Sequence, residues 1–483
     1  MLRDLSEKAT CVERAQAKRT FMRAVTRALV ISVLVATRTL TGAESDADQI
    51  RKIYDETLGH SPAHEQLREL TTRFPGRLAG SKNLEQAIPW VERVLRETGC
   101  DSVRLQPVTV PHWERGGPEK VLLLPTGGSK DQPIPLTALA LGGAVATPEG
   151  GLHARVVEVQ SLAQVAQLGR DAIAGKIVFF NRPMRATEIR PDLAYYDAGD
   201  QRNRGPAEAA KYGAVAALTR SLTHRTDDIP HTGNTGFPPD QPRIPAAALS
   251  TVAADRLSAE LKQHPDTEVE IQLHSRWLPD APAFNVIGEI RGSELPDEII
   301  LVGGHLDSWD VAPGAHDDGS GVVQSIEVFR LFHALGIRPR HTLRCVLFVA
   351  EENSLAGGIE YARVAKEQKE KHIFALETDS GGFEPRGFTI GHTSQPMHER
   401  VARWRDLLEP YGLTSFRKGT GGADVGPLLV QGVTVASLAP DAQRYFDYHH
   451  TRIDSIDQVS PRELQLGAAA LASLIWLVDT QGL

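Results

Sequence analysis

Four groups of histidines and carboxylates carry most of the chemical information in this chain. Three of them directly follow strand-like runs, and the fourth comes shortly after one. The residues with suitable side chains are His305, Asp307, Asp317, Asp318, Glu351, Glu352, Asp379, His449 and His450. In α/β proteins, ligands bind at the carboxyl ends of strands, so we expect these side chains to converge. Imidazole nitrogens and carboxylate oxygens without a thiolate are typical donors for zinc. The pattern therefore predicts a zinc centre.

The spacing within the first two groups suggests a separate role for each side chain. In an extended backbone, the side chains of His305 and Asp307 point the same way, because strand side chains alternate. Asp307 can then hold the far ring nitrogen of His305 and leave the other nitrogen for a metal. Asp317 has two carboxylate oxygens and could bridge two ions, which lie about 3.5–4 Å apart in two-metal hydrolases. The neighbouring Asp318 is interpreted as a helix cap.

Glu351 and Glu352 follow a mainly apolar run, residues 342–349, after one alanine. Two adjacent carboxylates at the end of a buried strand are costly to ionise unless a cation neutralises one of them. One would then bind the metal, while the other would accept a proton from water beside it. The alternative is a pair of surface glutamates at the start of a helix. The apolar run before the two glutamates argues against this alternative.

The elements around these groups alternate between strands and helices. Strands are predicted at residues 284–290, 299–302, 342–349, 373–376 and 433–438, and helices at 84–99 and 321–335. The apolar run 342–349 is typical of a strand in the middle of a covered sheet. We therefore predict an α/β fold with a mixed, mainly parallel sheet covered by helices on both faces.

A chain of 483 residues favours two domains. From about residue 121 the composition changes to short β-like runs separated by glycine and proline, with only short helical stretches such as 206–212. These runs are 121–124, 156–159, 176–180, 214–218, 246–249 and 268–273. The pattern predicts a smaller β-rich domain, residues 121–275, inserted into a main domain made of residues 44–120 and 276–483.

The first 43 residues resemble a targeting segment. Basic residues precede the apolar stretch 28–36, and small residues at 41–43 could be a cleavage site. This predicts a protein outside the cytoplasm, secreted or periplasmic, with no stable membrane span in its mature form. An uncleaved anchor or a disordered tail is the alternative. The net charge of −8 argues against a nucleic-acid surface.

Only three cysteines are present, so neither a disulfide framework nor a zinc finger is predicted. Cys345 lies in an apolar run and is interpreted as an inert buried thiol. A bridge between Cys100 and Cys345 is conceivable, but nothing in the sequence supports it.

The order His-x-Asp, Asp-Asp-Gly, Glu-Glu, Asp-Ser-Gly, His-Thr resembles the co-catalytic dizinc exopeptidases. The likeness covers nearly all of residues 45–480, and the inserted segment resembles a protease-associated domain. By that resemblance two zinc ions bind per chain: one is held by His305, Asp317 and Asp379, and the other by Asp317, Glu352 and His450. Glu351 matches the general base and Asp307 the residue that orients His305.

Some neighbours of these motifs have no clear assignment. His450 matches better than His449, because the family's ligand directly precedes Thr or Ser, and His449 would then face the substrate pocket or support the ligands. The motif assigns no function to His316. Asp424 could shape the pocket or belong to a turn.

The resemblance implies a metallopeptidase that acts on small peptides, foremost dipeptides with free termini, and that forms a homodimer. A broader aminopeptidase on the same fold is the nearest alternative, since acidic residues could anchor a free amine. The insert is long enough to form a lid over both ends of a dipeptide. A catalytically inactive binding protein is less consistent with the chain, because all five candidate ligands and Glu351 are present.

Overall fold

The computed structural model describes residues 45–125 and 132–483. The predicted targeting segment, residues 1–43, lies outside the described residues. The chain divides after Arg51 into two compact units. Of the first unit, the described residues 45–51 begin the helix Asp46–His60. Both sheets and the candidate site belong to the second unit, Lys52–Leu483.

The main sheet has eight strands: β1 Ser102–Glu114, β10 Arg276–Ile290, β11 Leu295–His305, β12 His341–Phe348, β13 Lys371–Glu377, β14 Pro385–Gly391, β15 Ser415–Lys418 and β16 Thr434–Pro440. They lie in the order β1-β10-β12-β11-β13-β16-β14-β15. Neighbours β11 and β12, β11 and β13, β13 and β16, and β14 and β15 are parallel, whereas the other three pairs are antiparallel. The sheet is therefore mixed, as predicted.

Helices cover both faces of this sheet. All eight residues of β12 are buried, and because strand side chains alternate between faces, both faces must be covered. On one face, Leu301, Val346 and Phe348 pack against Tyr361 of a helix. The helices of this part of the chain are α1 Asp46–His60, α2 Ala63–Arg73, α3 Lys82–Glu97, α8 Ser320–Ala334, α9 Glu351–Ser354, α10 Ala356–Gln368, α11 Met397–Val401, α12 Arg405–Leu408, α13 Gly426–Val430, α14 Tyr445–Tyr448 and α15 Pro461–Gln481.

The C-terminal helix α15 packs on α8 and contacts the sheet. It is long and apolar enough to cross a membrane by composition alone, yet 72% of its most apolar window is buried inside the fold. That burial is typical of a core helix.

Residues 120–272 form a second eight-stranded sheet. Its strands are β2 Lys120–Leu123, β3 Ile134–Pro135, β4 Ala138–Ala140, β5 Leu152–Val159, β6 Ile177–Phe180, β7 Ala216–Arg220, β8 Ala246–Leu249 and β9 Glu268–Gln272. They lie in the order β3-β2-β9-β5-β6-β7-β8-β4. Its helices are α4 Leu162–Ile173, α5 Pro191–Asn203, α6 Gly205–Lys211 and α7 Thr251–Gln263. The division into domains and the protease-associated character of this segment stay predictions.

The expectation that only short helical stretches occur in this segment is wrong. Helices α5 and α7 have 13 residues each. The buried positions of α5 include Ala194, Ala198, Gln201 and Arg202. Small and polar residues on the inner face leave no apolar periodicity, so the usual sequence signal for a helix is missing.

Candidate metal centre

Three of the predicted groups meet at one edge of the main sheet. His305 is the last residue of β11, Glu351 follows β12 after two residues, and Asp379 follows β13 after one. Strand β11 pairs in parallel with both β12 and β13, so the three carboxyl ends are adjacent. After β12 the chain turns through Ala350, whose φ of 63° lies in the left-handed region. This sharp turn starts a helix at the strand end and brings both glutamates to the sheet edge.

Asp317 lies between two histidines that come from distant parts of the chain. Its Oδ1 is 3.3 Å from Nε2 of His305, and its Oδ2 is 3.4 Å from Nε2 of His450. Nε2 of His305 is also 3.7 Å from Oδ1 of Asp379, and Nε2 of His450 is 3.2 Å from Oε2 of Glu352. The five predicted ligands thus form two clusters that share one carboxylate.

Several polar atoms in these clusters are buried without a hydrogen-bond partner. They are Nε2 of His305, Oδ2 of Asp317 and Oε1 of Glu352. Buried polar atoms in proteins are almost always paired, and unpaired ones call for an explanation such as a bound ion. Nitrogen and oxygen donors in this arrangement fit zinc, which accepts both. The residues present therefore fit a metal centre.

The electrostatics of the acidic groups also indicate a metal centre. Burial raises the pKa of Asp317 and raises those of Glu351 and Glu352 well above their usual values, and the neighbouring carboxylates raise them further. Charged carboxylates so close together in a buried site repel each other and lose hydration. A divalent cation among them would favour the ionised forms, because it supplies the missing positive charge.

Asp318 offers an alternative ligand on distance alone, since it can form a compact cluster with His305 and Asp379. Its oxygens are already engaged, however. Oδ2 accepts the backbone N–H of His305 at 3.0 Å, and Oδ1 accepts that of Gly321 at 3.1 Å. Asp318 therefore bonds to the first turn of α8 through Oδ1, although the N-cap residue of this helix is Gly319 rather than the predicted Asp318. Asp317 has the freer oxygen.

Asp307 contacts more than the imidazole it is predicted to orient. Nδ1 of His305 lies 3.2 Å from the main-chain oxygen of Asp307 and 3.6 Å from its carboxylate. The carboxylate accepts the backbone N–H of Glu351 at 3.1 Å and that of Glu352 at 3.2 Å. Asp307 thus fixes the position of both glutamates.

The loop that carries His449 and His450 is held by the second sheet segment. The N–H of Thr232 donates to the carbonyl of His450 at 3.1 Å, and Nδ1 of His450 lies 3.2 Å from the carbonyl of Thr232. Nδ1 of His231 lies 2.8 Å from the carbonyl of His449. Because a carbonyl only accepts, Nδ1 of His450 carries the proton, and its Nε2 is left free to bind a metal.

His449 faces the same cavity as the predicted ligands. Its ring stacks on His450 at 3.5 Å, and its Nε2 is 3.7 Å from Oδ2 of Asp317. By distance it could replace His450 as a ligand, but it lies farther from Asp317. Burial and the positive charge of Arg202 lower its pKa well below the usual value, which favours the neutral ring.

His316 has a structural environment. It stacks on Phe383 at 4.1 Å, its Nδ1 accepts the N–H of Gly382 at 3.1 Å, and its Nε2 lies 3.3 Å from the carbonyl of Gln458. Burial lowers its pKa to about 3. With both ring nitrogens engaged, His316 has no nitrogen left for a metal.

A cavity of about 770 Å³ opens onto the centre. Its walls come from both sheet segments: Asp192, Tyr195, Arg202 and Asn234 from one, and Glu351, Asp379, Arg417 and Tyr445 from the other, among further residues. Asp424, unassigned from the sequence, is fully buried, with both carboxylate oxygens unpaired.

Three supporting residues were not found from the sequence. Asp454 accepts the backbone N–H of His316 at 2.7 Å and of Asp317 at 3.1 Å. Arg77 donates to the carbonyls of Leu306, Phe74, Pro313 and Gly314, and Thr232 holds His450 as described. These contacts join distant segments through backbone atoms, so no local sequence motif indicates them. A charged residue within a turn, such as Arg77 after Pro75-Gly76, is at most a weak sequence signal of such a supporting role.

The comparisons with known proteins agree with this geometry. Residues 285–475 match the family described as Peptidase family M28. Carboxypeptidase Q from Bos taurus is 36% identical over 418 residues, which are 86% of this chain and 85% of the relative. Carboxypeptidase Q from Homo sapiens is 34% identical over the same shares. A likeness to carboxypeptidase Q, predicted from the strings 304–311 and 445–450, is confirmed for the chain as a whole.

Solved structures share the fold. A peptidase M28 precursor from Shewanella amazonensis SB2B superposes with a TM-score of 0.84 at 34% identity, covering 90% of this chain and 96% of the other. A zinc aminopeptidase from Bacillus subtilis superposes with a TM-score of 0.63 at 19% identity, covering 87% and 95%, which shows the fold alone. By sequence and structure together, the chain belongs to peptidase family M28 and is a zinc exopeptidase.

Proposed function

We propose that this chain is an extracytoplasmic exopeptidase with two zinc ions, which hydrolyses small peptides and foremost dipeptides with free termini. The observation that carries the proposal is the position of Asp317, with one carboxylate oxygen toward His305 and the other toward His450. A carboxylate shared between two clusters of donors is the arrangement that a pair of metal ions requires.

In this proposal His305, Asp317 and Asp379 hold one zinc ion, and Asp317, Glu352 and His450 hold the other. Zinc, when bound, supplies a Lewis acid that polarises a carbonyl and makes water more acidic. The unpaired atoms on His305, Asp317 and Glu352 support this set of ligands.

Glu351 is the proposed general base. It lines the cavity next to Glu352, and its backbone is held by the carboxylate of Asp307. Glu351 takes a proton from the water that attacks the scissile carbonyl carbon. As the carbon–nitrogen bond breaks, it delivers that proton to the nitrogen of the leaving amine. Asp307 positions both glutamates and the imidazole of His305.

The preference for short substrates is supported by the shape of the site. The cavity walls come from both sheet segments, so the segment 121–275, proposed as a protease-associated insert, would act as a lid. The relatives named carboxypeptidase Q support an action at the free C-terminus. The homodimer is proposed from the same resemblance, and the location outside the cytoplasm from the pattern of residues 1–43.

Zinc analysis combined with a peptide panel tests the proposal. Protein prepared without chelators is expected to contain two equivalents of zinc, to lose activity with a strong chelator and to recover it with added zinc. The panel compares a free dipeptide with its N-acetyl derivative, its C-terminal amide and a tripeptide. Equal turnover of all four would contradict the lid, and turnover of the amide and tripeptide without the N-acetyl dipeptide would indicate an aminopeptidase.

The homodimer has its own test. Light scattering at the concentration of the activity assay is expected to give twice the mass of the chain. A monomer that is fully active at that concentration would refute a dimer requirement.

A further inference from the structure

A positive charge without a counter-charge lines the cavity at some distance from the metal centre. Arg417 lies on the edge strand β15, is partly buried and lines the cavity. Its Nε is buried without a hydrogen-bond partner. Among residues 45–125 and 132–483, no carboxylate lies within ion-pairing distance of its guanidinium. By contrast Arg330, which is also partly buried, pairs with Glu56 and with Glu327 at 2.8 Å each.

The charged groups closest to Arg417 already form a pair of their own. Arg190 and Asp192 are the two charged residues that act on it. Nε of Arg190 donates to Oδ1 of Asp192 at 3.3 Å, and its Nη2 donates to Oδ2. Burial and the charge of Arg190 lower the pKa of Arg417, so these surroundings disfavour the cation. Because partial desolvation of an unpaired charge is costly, an anionic ligand beside Arg417 would be stabilising.

The strand register aligns Arg417 with the metal centre. Arg417 of β15 pairs with Thr389 of β14. Thr389 in turn pairs with Ser437 of β16, and Ser437 pairs with Glu377 at the end of β13. Residues directly opposite each other on paired strands share one face of the sheet. Asp379, a predicted zinc ligand, follows Glu377 after one residue, so this row of side chains leads from the metal centre to Arg417.

The row forms a floor of the cavity with room for a substrate side chain. Ser437, Thr389 and Arg417 all line the cavity. Three strand spacings separate β13 from β15, about 14 Å between backbones at a spacing near 4.8 Å. Serine and threonine are small, and their hydroxyl groups can donate hydrogen bonds. A substrate side chain that extends from the metal centre over these two residues would therefore reach the guanidinium with its far end.

We propose that Arg417 binds a carboxylate on the side chain of the substrate, so that the enzyme prefers dipeptides containing glutamate to those containing glutamine. This inference rests on the proposed function and names a substrate class for it, acidic dipeptides. A guanidinium presents paired N–H donors that match a carboxylate. The amide of glutamine has the same shape but leaves the charge of Arg417 unpaired, which is the physical basis of the discrimination.

The test measures kcat/KM of the zinc-loaded full chain on five freshly dissolved dipeptides. Glutamyl-alanine is compared with glutaminyl-alanine, and alanyl-glutamate with alanyl-glutamine, while alanyl-alanine is the reference. Both positions are included because the floor fixes the distance from the metal centre and leaves the direction of the peptide open. The wild type is expected to favour glutamate over glutamine at one position by about 10-fold, the usual effect of a hydrogen bond to a charged group.

Two variants of Arg417 and one control separate a binding role from a structural one. Arg417→Gln should bring the ratio of glutamate to glutamine peptide close to one, and Arg417→Glu should reverse the preference. Both should hydrolyse alanyl-alanine at the wild-type rate. Lys418→Gln removes a positive charge from the next residue of β15, which is exposed and outside the cavity wall. This control should keep the wild-type ratio.

The reference dipeptide distinguishes failure of this inference from failure of the proposed function. A wild type that hydrolyses alanyl-alanine without favouring glutamate at either position would overturn the inference alone. A glutamate preference that Arg417→Gln retains would do the same. Equal losses on all five dipeptides in Arg417→Gln would mean that Arg417 only supports the cavity wall, which also overturns the inference. A zinc-loaded wild type that hydrolyses none of the five would contradict the proposed function itself.

Discussion

The buried guanidinium of Arg77 gives a quantitative test of how the metal-centre loop is held. It donates to the carbonyls of Leu306 at 2.7 Å and Pro313 at 2.7 Å, and to those of Phe74 and Gly314 at 3.2 Å each. These carbonyls lie in the loop between His305 and Asp317, and in the turn that precedes Arg77. The substitution Arg77→Met keeps an unbranched side chain but removes all four donors.

The expected loss in the free energy of unfolding follows from two opposing contributions. Four buried carbonyls without a donor cost about 6 kcal/mol at roughly 1.5 kcal/mol each. Burial lowers the pKa of Arg77 to about 10 from 12.5, which corresponds to roughly 3 kcal/mol against the charged form. Methionine does not carry that cost. The net expectation is a decrease of about 3 kcal/mol in the free energy of unfolding.

Urea unfolding of the metal-free protein measures this difference without any contribution from bound zinc. Arg93→Met is the control, because Arg93 is 52% exposed and pairs with Glu97 on a helix surface, where such pairs contribute less than about 1 kcal/mol. Arg77→Met should also bind zinc more weakly, since the loop that carries Asp317 loosens. A loss below about 1 kcal/mol, or one equal to that of the control, would refute the account of the loop.

Three further predictions concern single side chains. Cys345 should resist iodoacetamide in the folded protein, whereas Cys100 should react slowly. Cys345 is fully buried, Cys100 is partly exposed, and burial raises the pKa of both thiols. Equal labelling of the two cysteines would contradict this expectation. Burial lowers the pKa of His372 from 6.5 to about 4, so as the pH falls the unfolded chain takes up this proton before the folded protein does. The contribution of His372 to the free energy of unfolding should therefore be fully present above pH 6.5 and fall by up to roughly 3 kcal/mol as the pH drops to about 4. Unfolding curves of His372→Asn should show a smaller decrease over that range, and an unchanged decrease would speak against it. Zinc analysis should find that His450→Ala loses zinc while His449→Ala retains it, since only His450 approaches two carboxylates; the reverse result would exchange the two histidines.

The parts of the fold that the sequence predicts well are those buried on both faces. Strands such as β11 and β12 leave mainly apolar runs, and the helix α8 is soon followed by a glycine, Gly336, with φ of 64°. Partly exposed strands such as β15 leave a weaker pattern. Helix α5 escaped prediction because the buried residues of its inner face, such as Ala194, Ala198 and Gln201, are small or polar and leave no apolar periodicity in the sequence.

The candidate ligands could be named from the sequence because each lies in a short motif with its own physical reason. The residues that hold these ligands in place could not be named from the sequence. Thr232 supports His450 through backbone atoms across 218 positions of sequence, and Arg77 reaches carbonyls more than 200 positions away. Such contacts depend on how the segments pack, and side-chain patterns do not encode them.

The most direct test of the central claim compares Glu351→Gln with Glu352→Gln. Both changes preserve size and remove one negative charge, and the backbone N–H of each residue is held by the same carboxylate of Asp307. If Glu351 moves the proton and Glu352 holds zinc, Glu351→Gln should keep two equivalents of zinc while turnover falls about 10²- to 10⁴-fold. Glu352→Gln should instead lose zinc. Turnover of Glu351→Gln within a few-fold of the wild type at full zinc occupancy would contradict the account.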